Sequence, residues 1–244
     1  MRAIVLAAAV VLGAAAATAA PPTATQTMRW LRQDRDDFAG DYLISYSSLS
    51  WRDAAWSLRG SVSWLSWRDE VGGAAGTSGS GLGAVYVTVG RRLWGGERSW
   101  RPRSRGWLKL RGKLPLQNEY SVTGSGESDW GASLMVAHRH RALHLIAEVG
   151  ILKLGEPQGV EYDGLLNGAV SLSYRRPGAR FYPIAGLSAS SSSLPGDPGY
   201  LELSAGIGAV WSGGISTSLL YSRGLTAISP EGGLAAVVSV RLDG

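Results

Sequence analysis

The chain has 244 residues, a formal charge of +5 at pH 7, mean hydropathy near zero and no cysteine. Without disulfides, extended backbone pairing or a large core must hold the fold together. The charge, about +4 once Arg2 leaves with an export signal, is too small to argue for nucleic acid, and export argues against it too.

Residues 1–19 read as a cleaved signal peptide. Arg2 is the positive n-region, 3–16 is an apolar run broken only by Gly13, and Ala17-Thr18-Ala19 is a small-x-small cleavage site. The stretch is short for a membrane anchor and lacks a stop-transfer flank. Residues 20–244 then form one domain. No later stretch reaches the ~18 consecutive apolar residues that a spanning helix needs.

From residue 41 onward, segments of about ten residues alternate apolar with polar or small side chains. Strands are expected near 41–51, 55–67, 82–93, 106–116, 129–139, 142–153, 164–175, 179–190, 200–211, 214–223 and 233–242. Tight turns at 51–53, 139–141, 177–178 and 212–214 face long connections at 68–81, 117–128, 154–163, 191–199 and 224–232. The link at 94–105 is intermediate. Short turns on one side and long loops on the other are the pattern of an outer-membrane barrel, with the short side periplasmic. Both the first and the last of these strands run towards that side. A periplasmic N-terminus therefore requires one more strand, for which 25–33 is the candidate, with 34–40 as its outer loop. Parity gives twelve strands, with ten or eleven as alternatives.

Residues 107–114 read W-L-K-L-R-G-K-L. Successive strand side chains point to opposite faces, so Leu108, Leu110 and Leu114 share one surface and Lys109, Arg111 and Lys113 the other. A soluble sandwich would bury the leucines and hydrate the cations. A transmembrane antiparallel up-and-down barrel turns the leucines to lipid and the cations to a wet lumen. Closure favours the barrel, because in lipid every backbone donor and acceptor needs an internal partner.

The expected lipid face carries Leu58, Val62, Val85, Val87, Leu134, Val149, Ile207 and Val238 among others, and almost no charge. Trp56, Trp64, Trp107, Trp130 and Trp211 fall near segment ends and are read as aromatic girdles; core tryptophans of a sandwich would sit mid-strand. The opposite face carries Arg59, Lys109, Arg111, Lys113, Arg139, Glu148, Arg175, Glu202 and Arg241 among serines and threonines. Such a lumen would hold a positive potential and favour anions. Alternatively, the two glutamates pair with cations and fill a closed lumen.

His138, His140 and His144 surround a basic turn without an adjacent cysteine or acid, which is a poor metal set. No G-x-S-x-G elbow appears, and the glycine pairs at 81–83 and 124–126 open no helix. No cofactor or metal is expected.

The stretch S-G-L-G-A-V-Y-V at 80–87, the K-L-P-L and V-T-G-S-G-E-S-D-W-G motifs within 110–131, and the closing hairpin from Ser222 onward resemble bacterial outer-membrane barrels of the meta-pathway phenol-degradation family. The resemblance spans about residues 55–242. It implies a passive channel for small hydrophobic or aromatic compounds. Two positions depart from the family: Gln117-Asn118 replaces a glycine-acidic turn, and Leu242 stands where such barrels carry the aromatic read by the barrel-assembly machinery. The expected role is an outer-membrane channel passing small solutes, aromatic or anionic ones included, with membrane lipid and the assembly machinery as partners. The rivals are a plugged structural or surface-binding barrel and a barrel-embedded lipid hydrolase, for which His138 is the one histidine facing lipid near a strand end.

Overall fold

A computed structural model describes residues 21–35, 38–71, 74–95, 103–115, 127–156, 162–192 and 198–242. The signal peptide, Gln117-Asn118 and the glycines at 124–126 lie outside the described residues. The elements are β1 (Thr23–Arg35), β2 (Phe38–Arg52), β3 (Trp56–Val71), β4 (Ala74–Trp94), β5 (Arg103–Pro115), β6 (Asp129–His140), β7 (Leu143–Lys153), β8 (Leu165–Tyr174), β9 (Phe181–Ser190), β10 (Tyr200–Val210), β11 (Ile215–Gly224) and β12 (Gly232–Arg241). Each strand pairs antiparallel with its sequence neighbours, and β1 pairs with β12 from Thr23↔Arg241 to Arg32↔Gly232, which closes the barrel. The shortest strands have ten residues, enough at ~3.3 Å per residue and ~40° tilt to cross a band of roughly 25 Å.

The expected strand at 25–33 exists as β1. Two segments expected as outer loops are instead mostly strand. Segment 34–40 belongs mostly to β1 and β2, and 68–81 is largely paired backbone of β3 and β4. The small residues at 74–81 fall within the expected long connection at 68–81. In the sheet they accommodate large neighbours: a Cβ at Gly79 would stand 2.5 Å from the indole of Trp67, its direct cross-strand partner. Gly106 opposite Trp94 and Gly208 opposite Tyr182 repeat the arrangement, with a Cβ 2.3 Å from the ring in each. An aromatic ring laid flat over a cross-strand glycine covers backbone that would otherwise be bare.

Directly opposed residues share a face, so the register carries the alternation around the wall. One row facing outward runs Leu219, Ala236, Met28, Ser45, Trp64 and Leu82 over β11, β12, β1, β2, β3 and β4. Between Val62 and Trp64 the register shifts by one, with Gly83 and Ala84 together opposing Ser63. The Ser63 hydroxyl fills this bulge, accepting from the Ala84 N–H at 3.0 Å and donating to its carbonyl at 3.4 Å, and is 2 % exposed.

The packing at Gly208 generates a test. Gly208→Val forces the Tyr182 ring off the wall and should cost about 1–3 kcal/mol. A lowered urea midpoint for the barrel refolded in micelles, followed by tryptophan fluorescence, is expected; an unchanged midpoint refutes this account of the pairing.

Candidate functional site

The outward surface carries a broad apolar belt. Leu110, Val149, Ile151, Leu166, Leu203, Ile207, Leu219, Leu234 and Val238 are all exposed. A closed sheet with such an exterior is what a transmembrane barrel requires and what a water-soluble one avoids. Trp56 and Trp64 stand on this face at 45 % and 38 % exposure and Trp130 at 65 %. Trp211 follows β10 and packs edge-on against Phe181 at 6.2 Å, with the Arg180 guanidinium 3.8 Å over its ring. Trp30 and Trp94 also face outward and were not singled out by segment position.

Trp107 does not belong to a girdle. It is 2 % exposed, opposes Arg92 and Met135, and carries the Arg52 guanidinium 5.0 Å over its ring. Its parity is that of Lys109, Arg111 and Lys113, so it points inward.

The inward face brings the predicted charges into pairs that sequence distance conceals. Lys109 Nζ donates to Glu148 at 2.7 Å across the intervening β6, whose Ser133 hydroxyl donates to the other carboxylate oxygen at 2.6 Å. Lys113 and Asp129, directly opposed on β5 and β6, pair at 2.8 Å with both side chains buried; Asp129 also accepts the Gly155 N–H at 2.9 Å. Glu202 on β10 pairs with Arg29 on β1, which also approaches the Tyr200 hydroxyl at 3.4 Å. Strands β11 and β12 lie between these partners, so the pair bridges a sector of the lumen.

Arg59 and Arg111 differ from these. Both line a cavity of about 670 Å³ with Tyr46, Tyr86, Lys109 and Glu148. Arg59 donates to Ser48 Oγ at 3.1 Å, and Arg111 stacks over Tyr86 with its guanidinium carbon 4.9 Å from the ring centroid. Among the described residues neither has a carboxylate at ion-pair distance. Arg139 and Arg175 stand exposed at the tight-turn end, Arg175 over the Tyr182 ring, and Arg241 stands at the same end on β12. Arg52 lines the cavity as well, and Arg105 shares its face by register. The other half of the lumen is less polar than the alternation suggested: Leu31, Tyr42, Ile44, Tyr46, Leu65 and Tyr86 surround a second space of about 360 Å³.

Outside the lumen, Ser104 Oγ lies 2.7 Å from His138 Nδ1, and the two are directly opposed on β5 and β6. This supplies the partner that a hydrolase reading needs. A working serine-histidine pair also needs an orienting acid and free donors for an oxyanion. Among the described residues no carboxylate contacts His138, and the residues lie within a paired ladder that uses its own N–H groups. The pair is a cross-strand hydrogen bond.

By sequence the chain matches no family model and no curated protein. By structure it is similar to an outer membrane channel from Pseudomonas putida F1 (TM-score 0.70, 11 % identity, 91 % of this chain and 96 % of that one). It is also similar to the beta domain of the Bordetella autotransporter BrkA (0.56, 16 %, 92 % and 100 %) and to the NanC porin (0.52, 10 %, 91 % and 100 %). At these identities the likeness is one of fold, and the chain has the fold of outer-membrane barrels.

The Lys113–Asp129 pair gives a test of the lumen's construction. Asp129→Asn alone strands a buried ammonium and should cost about 3–5 kcal/mol, whereas Lys113→Met with Asp129→Leu should cost far less. Equal loss in the single and double variants, read from urea midpoints, counts against the pair as drawn.

Proposed function

We propose that this chain is an outer-membrane channel through which small solutes pass passively, and that its lumen favours anions, aromatic ones included. The barrel fold shared with an outer membrane channel and a porin supports the class, and the export signal read at 1–19 and the apolar belt support the location. The observation that carries the anion preference is the pair Arg59 and Arg111: two guanidinium groups on one cavity of about 670 Å³, neither at ion-pair distance from a carboxylate among the described residues. Lys109 and Lys113 contribute less, because each stands beside its own counter-charge. Arg52, Arg105, Arg139, Arg175 and Arg241 at the tight-turn end extend the positive potential to that mouth, where a narrow low-dielectric passage strengthens it. The Tyr46 and Tyr86 rings, 6.3 Å apart beside Arg111, give a planar solute a surface to lie against.

A plugged barrel is the second reading, and the Arg29–Glu202 bridge across the lumen favours it. Single-channel recording in a planar bilayer under a salt gradient separates the two. Discrete openings with an anion-selective reversal potential are expected, with selectivity much reduced in Arg59→Gln/Arg111→Gln and less affected in Lys113→Gln. A barrel that inserts, shows heat-modifiable migration and never conducts supports the plugged reading instead.

A further inference from the structure

We infer that the segment 225–231 between β11 and β12 is the constriction of the lumen, pinned inward by Ser229; this rests on the channel reading above. Pairing of β10 with β11 ends at Glu202↔Gly224, so Leu201, paired with Ala189 on its β9 side, has no β11 residue on the other. The loop takes that place. Leu225 N–H donates to the Leu201 carbonyl at 2.8 Å, the Ser229 hydroxyl donates to the same carbonyl at 2.8 Å, and the Leu201 N–H donates back to Ser229 Oγ at 3.0 Å. Thr226 Oγ1 stands 2.8 Å from Ser229 Oγ, and Ser229 is 6 % exposed. One serine side chain thus does for Leu201 what a strand backbone does elsewhere on the ladder.

The base of the loop is closed as well. Gly224 N–H donates to the Pro230 carbonyl at 2.9 Å, and a Cβ at Gly224 would lie 2.3 Å from that oxygen, so no larger residue fits beneath the fold-back. The consequence is the position of Pro230. It borders the 360 Å³ space with Tyr42, Ile44 and Leu65, and also a separate space of about 450 Å³ with Arg29 and Tyr200. Leu31 on β1 borders both spaces too, so Pro230 and Leu31 together form the partition between them, one from the loop and one from the wall. Proline suits the place, since it has no N–H to leave unpaired. The Arg29–Glu202 bridge stands beside the loop and narrows the second of these spaces, so solute passes between Pro230 and the wall of β2 and β3.

The chain has no cysteine, so an introduced thiol is unique. In bilayers, Pro230→Cys treated with a bulky anionic methanethiosulfonate should lose conductance roughly two-fold or more, and Ser229→Ala, which frees the loop, should gain roughly two-fold. Placement has its own readout: Leu31→Cys/Pro230→Cys should form an intramolecular disulfide on oxidation, seen by gel mobility whether or not the barrel conducts. If wild type conducts and neither change alters conductance, the constriction is refuted and the channel reading stands. A wild type that is silent and opened by Ser229→Ala supports the loop as the barrier. Silence in every variant with the disulfide formed refutes the channel reading and the constriction with it.

Discussion

Everything in this structure depends on the pairing of β1 with β12. An antiparallel sheet with two free edges cannot lie in hydrocarbon, because each unpaired amide and carbonyl there costs several kcal/mol. Ten directly opposed positions from Thr23↔Arg241 to Arg32↔Gly232 remove both edges at once. β1 has a poor alternating pattern for a strand in so demanding a position. Met28 and Trp30 face outward, but so do Gln26 and Arg32. Gln26 is tolerated because its amide donates to Ser45 Oγ and its carbonyl oxygen accepts from Ser47, both at 2.6 Å on the adjacent β2. A polar side chain on the lipid face is thereby satisfied within the sheet.

Once closed, the barrel has a fixed inside, and the sequence places more charge there than an apolar filling could hold. Three ion pairs absorb part of it. Each one joins different strands, and together they tie β5 to β6, β5 to β7 and β1 to β10. The Lys113–Asp129 pair, buried on both sides, is unlike a surface salt bridge, which is worth little; it is retained mainly because either partner alone would be an uncompensated charge. Arg111 and Arg52 are instead stacked on aromatic rings and Arg59 is hydrogen-bonded to a hydroxyl, arrangements that position a guanidinium without neutralising it. Charge held in ion pairs and charge held against rings or hydroxyls are therefore carried by different residues of the same face.

Much of the fold was legible from alternation and turn spacing alone: most of the strand positions from β2 onward, the parity argument for β1, and the outward row of leucines and valines. What failed had specific causes. The run of glycine, serine and alanine at 74–81 has almost no hydrophobic pattern, yet it is strand, because Trp67 and its neighbours supply the bulk from across the ladder. Trp107 was placed by its nearness to a segment end, although the alternation that assigned Lys109 inward assigns Trp107 inward too. The lumen pairs were not legible at all. Arg29 and Glu202 are 173 positions apart, and only closure and register bring them together. The in-folded loop at 225–231 left no trace beyond a single serine and a single proline.

The bulge at Ser63 changes the arithmetic of β4. Below it Val85, Val87 and Val89 face lipid, at odd positions; above it Leu82, Ser80 and Ser78 do, at even ones. The outer half of this strand is thus written in a reading frame offset by one from its inner half, and Gly83-Ala84 is the comma between them. Loss of a single residue there would leave every hydrogen-bonding group with a partner available and still turn the upper strand inside out, bringing Leu82 into the lumen and Gly81 to the lipid. Single-residue length changes, harmless in most loops, are at this position equivalent to rewriting a whole surface.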